Sequence, residues 1–277
     1  MGQVVRTLPE GEQVRGLTLL AGEIYALRRK DANQIEVYDV STYSFRRCVT
    51  VPKCHFFTDM TSCEHYRCVY IADTDDRDDH CIHRLNVQVA NIEYKQCAIE
   101  DRPCNLSVNG EHNLLVACNV VRMIKVFTTH GEIVREIRLP DNVIYPWHAI
   151  GSHTGQYIVC HGASHNDSFH RVCVINVDGS LVVHSHGGKP GSADDQYFRP
   201  RHLSVDDFEF VFVSDCNNRR VKLLSPTLCY VREVVSRDQL KWRPYALHFD
   251  VQRRRLYVAD NDWTDDTNRG RVVVFSA

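Results

Sequence analysis

Phe210-Val211-Phe212-Val213-Ser214-Asp215 and, after a short polar loop, Arg220-Val221-Lys222-Leu223-Leu224-Ser225-Pro226 decide the fold, because this pair of apolar runs recurs along the whole chain. Counterparts of the first run are EIYAL at 23–27, CVYIAD at 68–73, NLLVAC at 113–118, QYIVCH at 156–161 and RLYVAD at 255–260. Counterparts of the second are QIEVYDV at 34–40, CIHRLNV at 81–87, MIKVFTT at 123–129, RVCVINV at 171–177 and RVVVFSA at 271–277. Their period-2 alternation and their β-branched and aromatic content predict strands, and no helical period of useful length appears.

Each pair is preceded by a further strand in which one position repeats: Gly16, Asp59, Asn105, His148, His202 and Ala246, spaced 43, 46, 43, 54 and 44 residues apart. Five of the pairs are followed by a fourth strand, in SFRRCVTV, EYKQCAI, EIVREIRL, LVVHSHG and CYVREVV. A self-similar period in the low forties is the mark of a β-propeller, whose blades are four-stranded sheets of about 40–45 residues. The expected fold is all-β: a six-bladed β-propeller of four-stranded antiparallel blades, a single domain over 1–277, with blades near 11–52, 53–100, 101–140, 141–188, 189–236 and 237–277. The sixth blade lacks its own fourth strand. Gln3-Val4-Val5-Arg6-Thr7-Leu8-Pro9 reads like Glu132 to Pro140, so residues 1–10 are expected to complete that blade, closing the ring and removing two exposed sheet edges.

Composition excludes several classes. Among 277 residues, 43% are hydrophobic and 25% charged, as in an ordinary globular chain, and no apolar run approaches the roughly 20 residues of a membrane helix. The net charge of −2 gives no global field toward nucleic acid or anionic lipid. The N-terminus has neither a basic n-region nor an apolar h-region, so the expected location is cytoplasmic. Twelve cysteines occur without CxxC or zinc-finger spacing and fall mostly in strands, which reads as buried free thiols; the cross-strand neighbours Cys63 with Cys68 and Cys160 with Cys173 could lie close enough to oxidise, but sequence does not fix their register.

The loops between strands carry a further pattern. Val213 to Leu223, Tyr70-Ile71-Ala72-Asp73 with Asp79-His80-Cys81-Ile82, and Tyr257-Val258-Ala259-Asp260 with Asn268-Arg269-Gly270-Arg271-Val272 each run from a strand ending in Asp, through a short polar loop, into the next strand. With the pairs Arg102-Pro103, Tyr145-Pro146, Arg199-Pro200 and Arg243-Pro244, this resembles the NHL-repeat propellers. The likeness is good in repeats 2, 5 and 6 and poor in 1, 3 and 4, where Cys118 replaces the Asp of the third. It implies a face that binds proteins or single-stranded and stem-loop RNA, although one propeller fold hosts many functions.

Two candidate sites follow. Inner strands line a central channel, so the slots Asp59, Asn105, His148 and His202 form a candidate divalent-metal site resembling that of propeller lyases and lactonases; the same polar residues could simply hydrogen-bond across the channel. On the loop face over blades four and five gather Arg171, Lys189, Arg199, Arg201, Arg219, Arg220, Lys241 and Arg243 with Trp147 and Trp242, a set that suits a protein hot spot or stacked RNA bases, or else pairs with neighbouring acids. Acids concentrate at Asp75, Asp76, Asp78, Asp79 and at Asp260, Asp262, Asp265, Asp266. Blade four is oversized through 161–171 and 187–198, which bring His161, His165, His170, His184 and His186 near the same face. There is no GxSxG, HExxH or phosphate-cradling loop. The residues therefore favour a non-enzymatic module that binds a protein partner, with RNA second and a metal-dependent lyase or lactonase third; no resident cofactor is expected beyond a channel metal, and oligomeric state is left open.

Overall fold

A computed structural model describes residues 2–29, 34–51, 56–74, 80–87, 93–99, 101–162, 169–263 and 268–277, with the side chains of 93–98 left aside. Six antiparallel sheets follow one another around a ring. Blade one holds Val14–Leu20, Glu23–Arg28, Gln34–Asp39 and Phe45–Thr50, and blade two Phe57–Cys63, Cys68–Asp73, Cys81–Asn86 and Glu93–Ala98. Blade three holds Pro103–Val108, Leu114–Cys118, Met123–Phe127 and Ile133–Arg138, and blade four Pro146–Gly151, Tyr157–His161, His170–Ile175 and Val182–Gly188. Blade five holds Pro200–Val205, Val211–Asp215, Arg220–Leu224 and Tyr230–Val235, and blade six Arg243–Asp250, Arg255–Asn261 and Arg269–Ser276. Each inner strand packs against the inner strand of the next blade, so the predicted propeller is the observed fold.

The fourth strand of blade six is Val4–Thr7, paired antiparallel with Arg269–Ser276 through Val4↔Phe275, Arg6↔Val274 and Thr7↔Val273, as the sequence predicts. Gly11–Glu12 continues the contact against Gly270 and Arg269. Apolar cores lie between blades rather than within them. Tyr245, Tyr257 and Val274 of blade six meet Leu17, Ile24 and Tyr38 of blade one, with Leu8 buried among them. Alternate residues of each strand face opposite neighbours, so both faces of a blade need apolar side chains and the second strands read as continuous hydrophobic runs.

The Asp at the end of a second strand is a latch. Asp73 accepts the Phe56 N–H, Asp215 the Phe198 N–H at 2.7 Å, and Asp260 the N–H groups of Lys241 and Trp242, so each carboxylate holds the chain entering its own blade. Third-strand groups balance them: His83 on Asp73, Arg220 on Asp215 and Arg271 on Asp260. Where the Asp is replaced, the same position carries Arg28, Cys118 or His161, all buried. Arg28 does the work in reverse, donating to Glu36 and to the carbonyls of Pro9, Glu12 and Gly270, and so fastens the N-terminal segment to blade one.

Every inner strand bulges at the slot, between Val14 and Gly16, Phe57 and Asp59, Pro103 and Asn105, Pro146 and His148, Pro200 and Leu203, and Pro244 and Leu247. A bulge re-aims the side chain that follows it, which is how one residue per blade turns toward the axis. At Gly16 blades one and two approach closely: a Cβ there would stand 2.4 Å from the Met60 nitrogen and 2.5 Å from its Cβ. Backbone cannot yield as a flexible side-chain end can, so Gly16→Ala should destabilise by about 1–3 kcal/mol in urea denaturation; a change under about 0.5 kcal/mol would show the approach to be slack.

Candidate functional site

The slots converge as their register requires. Asp59, Asn105, His148 and His202 are all buried on consecutive inner strands. Asp59, His148 and His202 are each tied to the inner strand of the next blade, just past its bulge. Asp59 Oδ2 accepts the Leu106 N–H at 2.8 Å, His148 Nδ1 accepts the Leu203 N–H at 3.2 Å, and His202 Nδ1 accepts the Leu247 N–H at 3.4 Å. His148 Nε2 lies 3.0 Å from the Leu106 carbonyl, so its ring is held as the neutral Nε2–H tautomer with both nitrogens engaged. Its ring stacks on that of His202, centroids 3.9 Å apart.

Three polar atoms in this cluster have no hydrogen-bond partner: Asp59 Oδ1, His202 Nε2 and Asn105 Nδ2. His202 Nε2 stands 3.6 Å from Asp59 Oδ2. One donor atom each from Asp59, His148 and His202 lie within 4.8 Å of one another. Burial pushes the Asp59 carboxyl up to about 6 and the His148 and His202 imidazoles down to about 3. At neutral pH the channel centre therefore combines two uncharged imidazoles with an ionised carboxylate that has no cation in ion-pair contact among the described residues. Buried charge of this kind calls for a counter-charge.

The donor set fits a divalent cation through Asp59 and, once the long Leu247 contact is given up and the ring proton moves to Nδ1, through His202 Nε2. Asn105 can present its carbonyl oxygen by rotation of the amide, while His148, with both nitrogens engaged, positions the His202 ring by stacking. A cavity of about 210 Å³ reaches His148 and His202, lined also by Thr18, Met60, Ser107 and Ser204. It occupies the half of the channel toward the turns between first and second strands, opposite the face that the loop insertions pointed to. A second buried grouping, Asp73, Cys81 and His83, belongs to the latch of blade two.

The expected basic surface divides when the partners are seen. Arg219 donates to the carbonyls of Leu240, Lys241 and Trp242, Arg220 is buried on Asp215, and Lys241 pairs with Glu10 at 2.9 Å and lies over Trp242. Arg171 stacks on Phe169, whereas Lys189 and Arg243 are exposed at the rim. Arg199 and Arg201 belong instead to the channel mouth, over Trp147 at 5.2 and 4.6 Å. Of the blade-four histidines, His161 and His170 are buried, His186 meets the Tyr197 hydroxyl at 3.0 Å and His184 is exposed. His165, like Asp75, Asp76, Asp78, Asp79, Asp265 and Asp266, lies outside the described residues. Cys63 does face Cys68 in register, but Cys160 faces Val172 and Cys173 faces Val159; the described cysteines are free thiols.

Sequence reasoning named Trp147 and Arg201 but missed the ring they belong to, immediately above the slots. The residue before each slot reads Arg15, Thr58, Cys104, Trp147, Arg201 and Tyr245, which the repeat register alone would have aligned. Lys222 was also hidden: its buried ammonium donates to the carbonyls of Ala193, Asp194 and Gln196 and holds the blade-four to blade-five loop.

No protein-family profile and no curated protein sequence matches the chain. Solved structures do share its fold. A PQQ-bound aldose sugar dehydrogenase from Streptomyces coelicolor superposes with a TM-score of 0.75 at 12% identity, over 100% of this chain and 98% of that one. Virginiamycin B lyase from Staphylococcus aureus gives 0.61 at 12% identity, over 91% and 81%. The Cps50 (Swd1) propeller domain from Myceliophteria thermophila gives 0.62 at 9% identity, over 100% of both. At such identities the likeness establishes the six-bladed propeller and does not reach the NHL family. It also corrects the expectation of a non-enzymatic recognition module: propellers of this shape include two enzymes, and Arg219, Arg220 and Lys241, three of the ten residues on which that expectation rested, are engaged within the fold. Among the described residues, no helix is long and apolar enough to cross a membrane.

Proposed function

We propose that this propeller is a channel-centred enzyme that works with a divalent cation, of the lyase or lactonase kind. The observation that carries the reading is the buried Asp59 carboxylate, with Oδ1 unpartnered and the unpartnered His202 Nε2 beside its other oxygen. A cation bound there would act as a Lewis acid on a substrate carbonyl or carboxylate oxygen. The chain's own residues hold and orient: Asp59 and His202 as ligands, Asn105 as a turnable amide, and His148 as a stacking residue whose tautomer is fixed by Leu106 and Leu203. The lyase with the same fold lends support at the level of architecture.

Titrating metal-stripped protein with Mn²⁺, Mg²⁺ and Zn²⁺ tests the reading. At neutral pH one saturable site per chain is expected, and Asp59→Asn should weaken it about 100-fold or more. Because the Asp59 carboxyl is pushed up to about 6, affinity should also fall as pH drops below that value. Absence of saturable binding for all three ions, or an unchanged Asp59→Asn, would overturn the assignment.

A further inference from the structure

At the channel mouth two guanidiniums stand among aromatic rings without an acid. Arg15 is 6% exposed, and its guanidinium carbon lies 4.7 Å from the Trp263 ring centroid, 5.5 Å from that of Tyr245 and 5.7 Å from that of Phe56. Arg201 lies 4.0 Å from the Tyr245 ring and 4.6 Å from that of Trp147. Both donate to one acceptor, the Tyr245 hydroxyl. Among the described residues neither forms an ion pair, and the Nε atoms of Arg15, Arg199 and Arg201 are buried without a hydrogen-bond partner. The charge of Arg201 reaches Asp59 through space without ion-pair contact.

This arrangement is costly as it stands. Each guanidinium brings five donors, and a single phenol oxygen accepts from both. Burial disfavours the charged form of Arg15, and the like charge of Arg201 disfavours it further. Cation–aromatic contact offsets part of the desolvation but gives N–H groups no acceptor. What the site lacks is an oxyanion. A guanidinium takes either a carboxylate or a phosphate through two parallel N–H bonds, and the flat aromatic rings beside Arg15 and Arg201 favour a planar ligand that carries a carboxylate. Trp147 and Trp263 are partly buried and so offer ring surface at the mouth.

We infer that the channel mouth binds a small aromatic carboxylate, its carboxylate taken by Arg15 and Arg201 and its ring lying against Trp147 and Trp263. The ligand sits one residue layer above Asp59 and His202, which places the body of the molecule over the channel centre. The inference deepens the enzyme reading by naming a substrate class; it rests on the channel being a small-molecule site, and not on the metal.

The test titrates the full chain with benzoate, phthalate and inorganic phosphate, following tryptophan fluorescence and heat, in metal-stripped and metal-loaded protein. Saturable binding of the aromatic carboxylates in both states is expected, weakened about 10- to 100-fold in Arg201→Gln and in Arg15→Gln and less in Arg201→Lys, which keeps the charge but not the fork. Thermal melts of the variants separate loss of binding from loss of fold. Carboxylate binding only in the metal-loaded protein, indifferent to both arginines, would overturn this inference while upholding the metal site. Binding of phosphate but not of carboxylates would overturn the ligand class, and no binding to wild-type protein in either state would overturn the site itself.

Discussion

Removing residues 2–8 should lower the midpoint of thermal unfolding by about 10–20 °C and leave a protein that aggregates. The lost strand closes the ring. Its ladder with Phe275, Val274 and Val273 goes, as do the bonds from the Leu8 N–H to Val272, the Gly2 N–H to Val234 and the Ser276 N–H to Gln3. Leu8, 1% exposed, leaves a core built from blades six and one, at about 2–3 kcal/mol for a fully buried leucine. With net hydrogen bonds near 1 kcal/mol each, the loss comes to about 5 kcal/mol or more. Arg269–Ser276 then becomes an open edge carrying Val272, Val273, Val274 and Phe275, a template for pairing with another chain. Scanning calorimetry and light scattering read both effects. A truncated chain that stays monodisperse with its melting point within a few degrees would show that the ring does not depend on this strand.

The second large effect is acid destabilisation. His148, His161 and His202 are buried, and burial holds their imidazoles down to about 3, about 4 and about 3. In the unfolded chain each titrates near 6.5, so below that pH the unfolded state binds protons that the folded state refuses. Their contribution is complete above 6.5 and is lost as pH falls. Asp59 acts the other way, because its carboxyl, up at about 6 in the fold, takes a proton before an unfolded Asp near 3.9 would. His248, which burial holds down to about 4, adds to these three, and Asp215, which burial raises, adds to Asp59; the histidines outweigh the aspartates, and the net loss of metal-free stability between pH 6.5 and pH 5 comes to about 4–5 kcal/mol. Urea denaturation across that range measures it, and His148→Asn should flatten the curve by removing one of the histidine contributions. A stability independent of pH over this interval would mean that the channel and latch imidazoles titrate as exposed groups do.

The architecture was legible because a propeller writes its period into the chain. One blade's worth of strands returns every forty-odd residues, and the missing last strand has a visible counterpart in Gln3 to Pro9. The slot positions were legible for the same reason: register alone aligns Asp59, Asn105, His148 and His202 at the bulge of consecutive inner strands. What could not be read was which cations are free. Arg219 and Arg201 look alike in sequence, yet one binds three carbonyls of a loop some twenty residues on and the other meets Tyr245 from the next blade. Arg15 escaped notice altogether, since its ring partners Tyr245 and Trp263 come from the far end of the chain and arrive only when the ring closes.

The most direct measurement is anomalous scattering from crystals soaked in Mn²⁺. A channel-centred metal enzyme predicts a single strong peak on the axis within coordination distance of Asp59 and of His202 Nε2, absent from Asp59→Asn crystals treated in the same way. A channel without anomalous density, with Asp59 and His202 in the geometry they have in the metal-free protein, would contradict it.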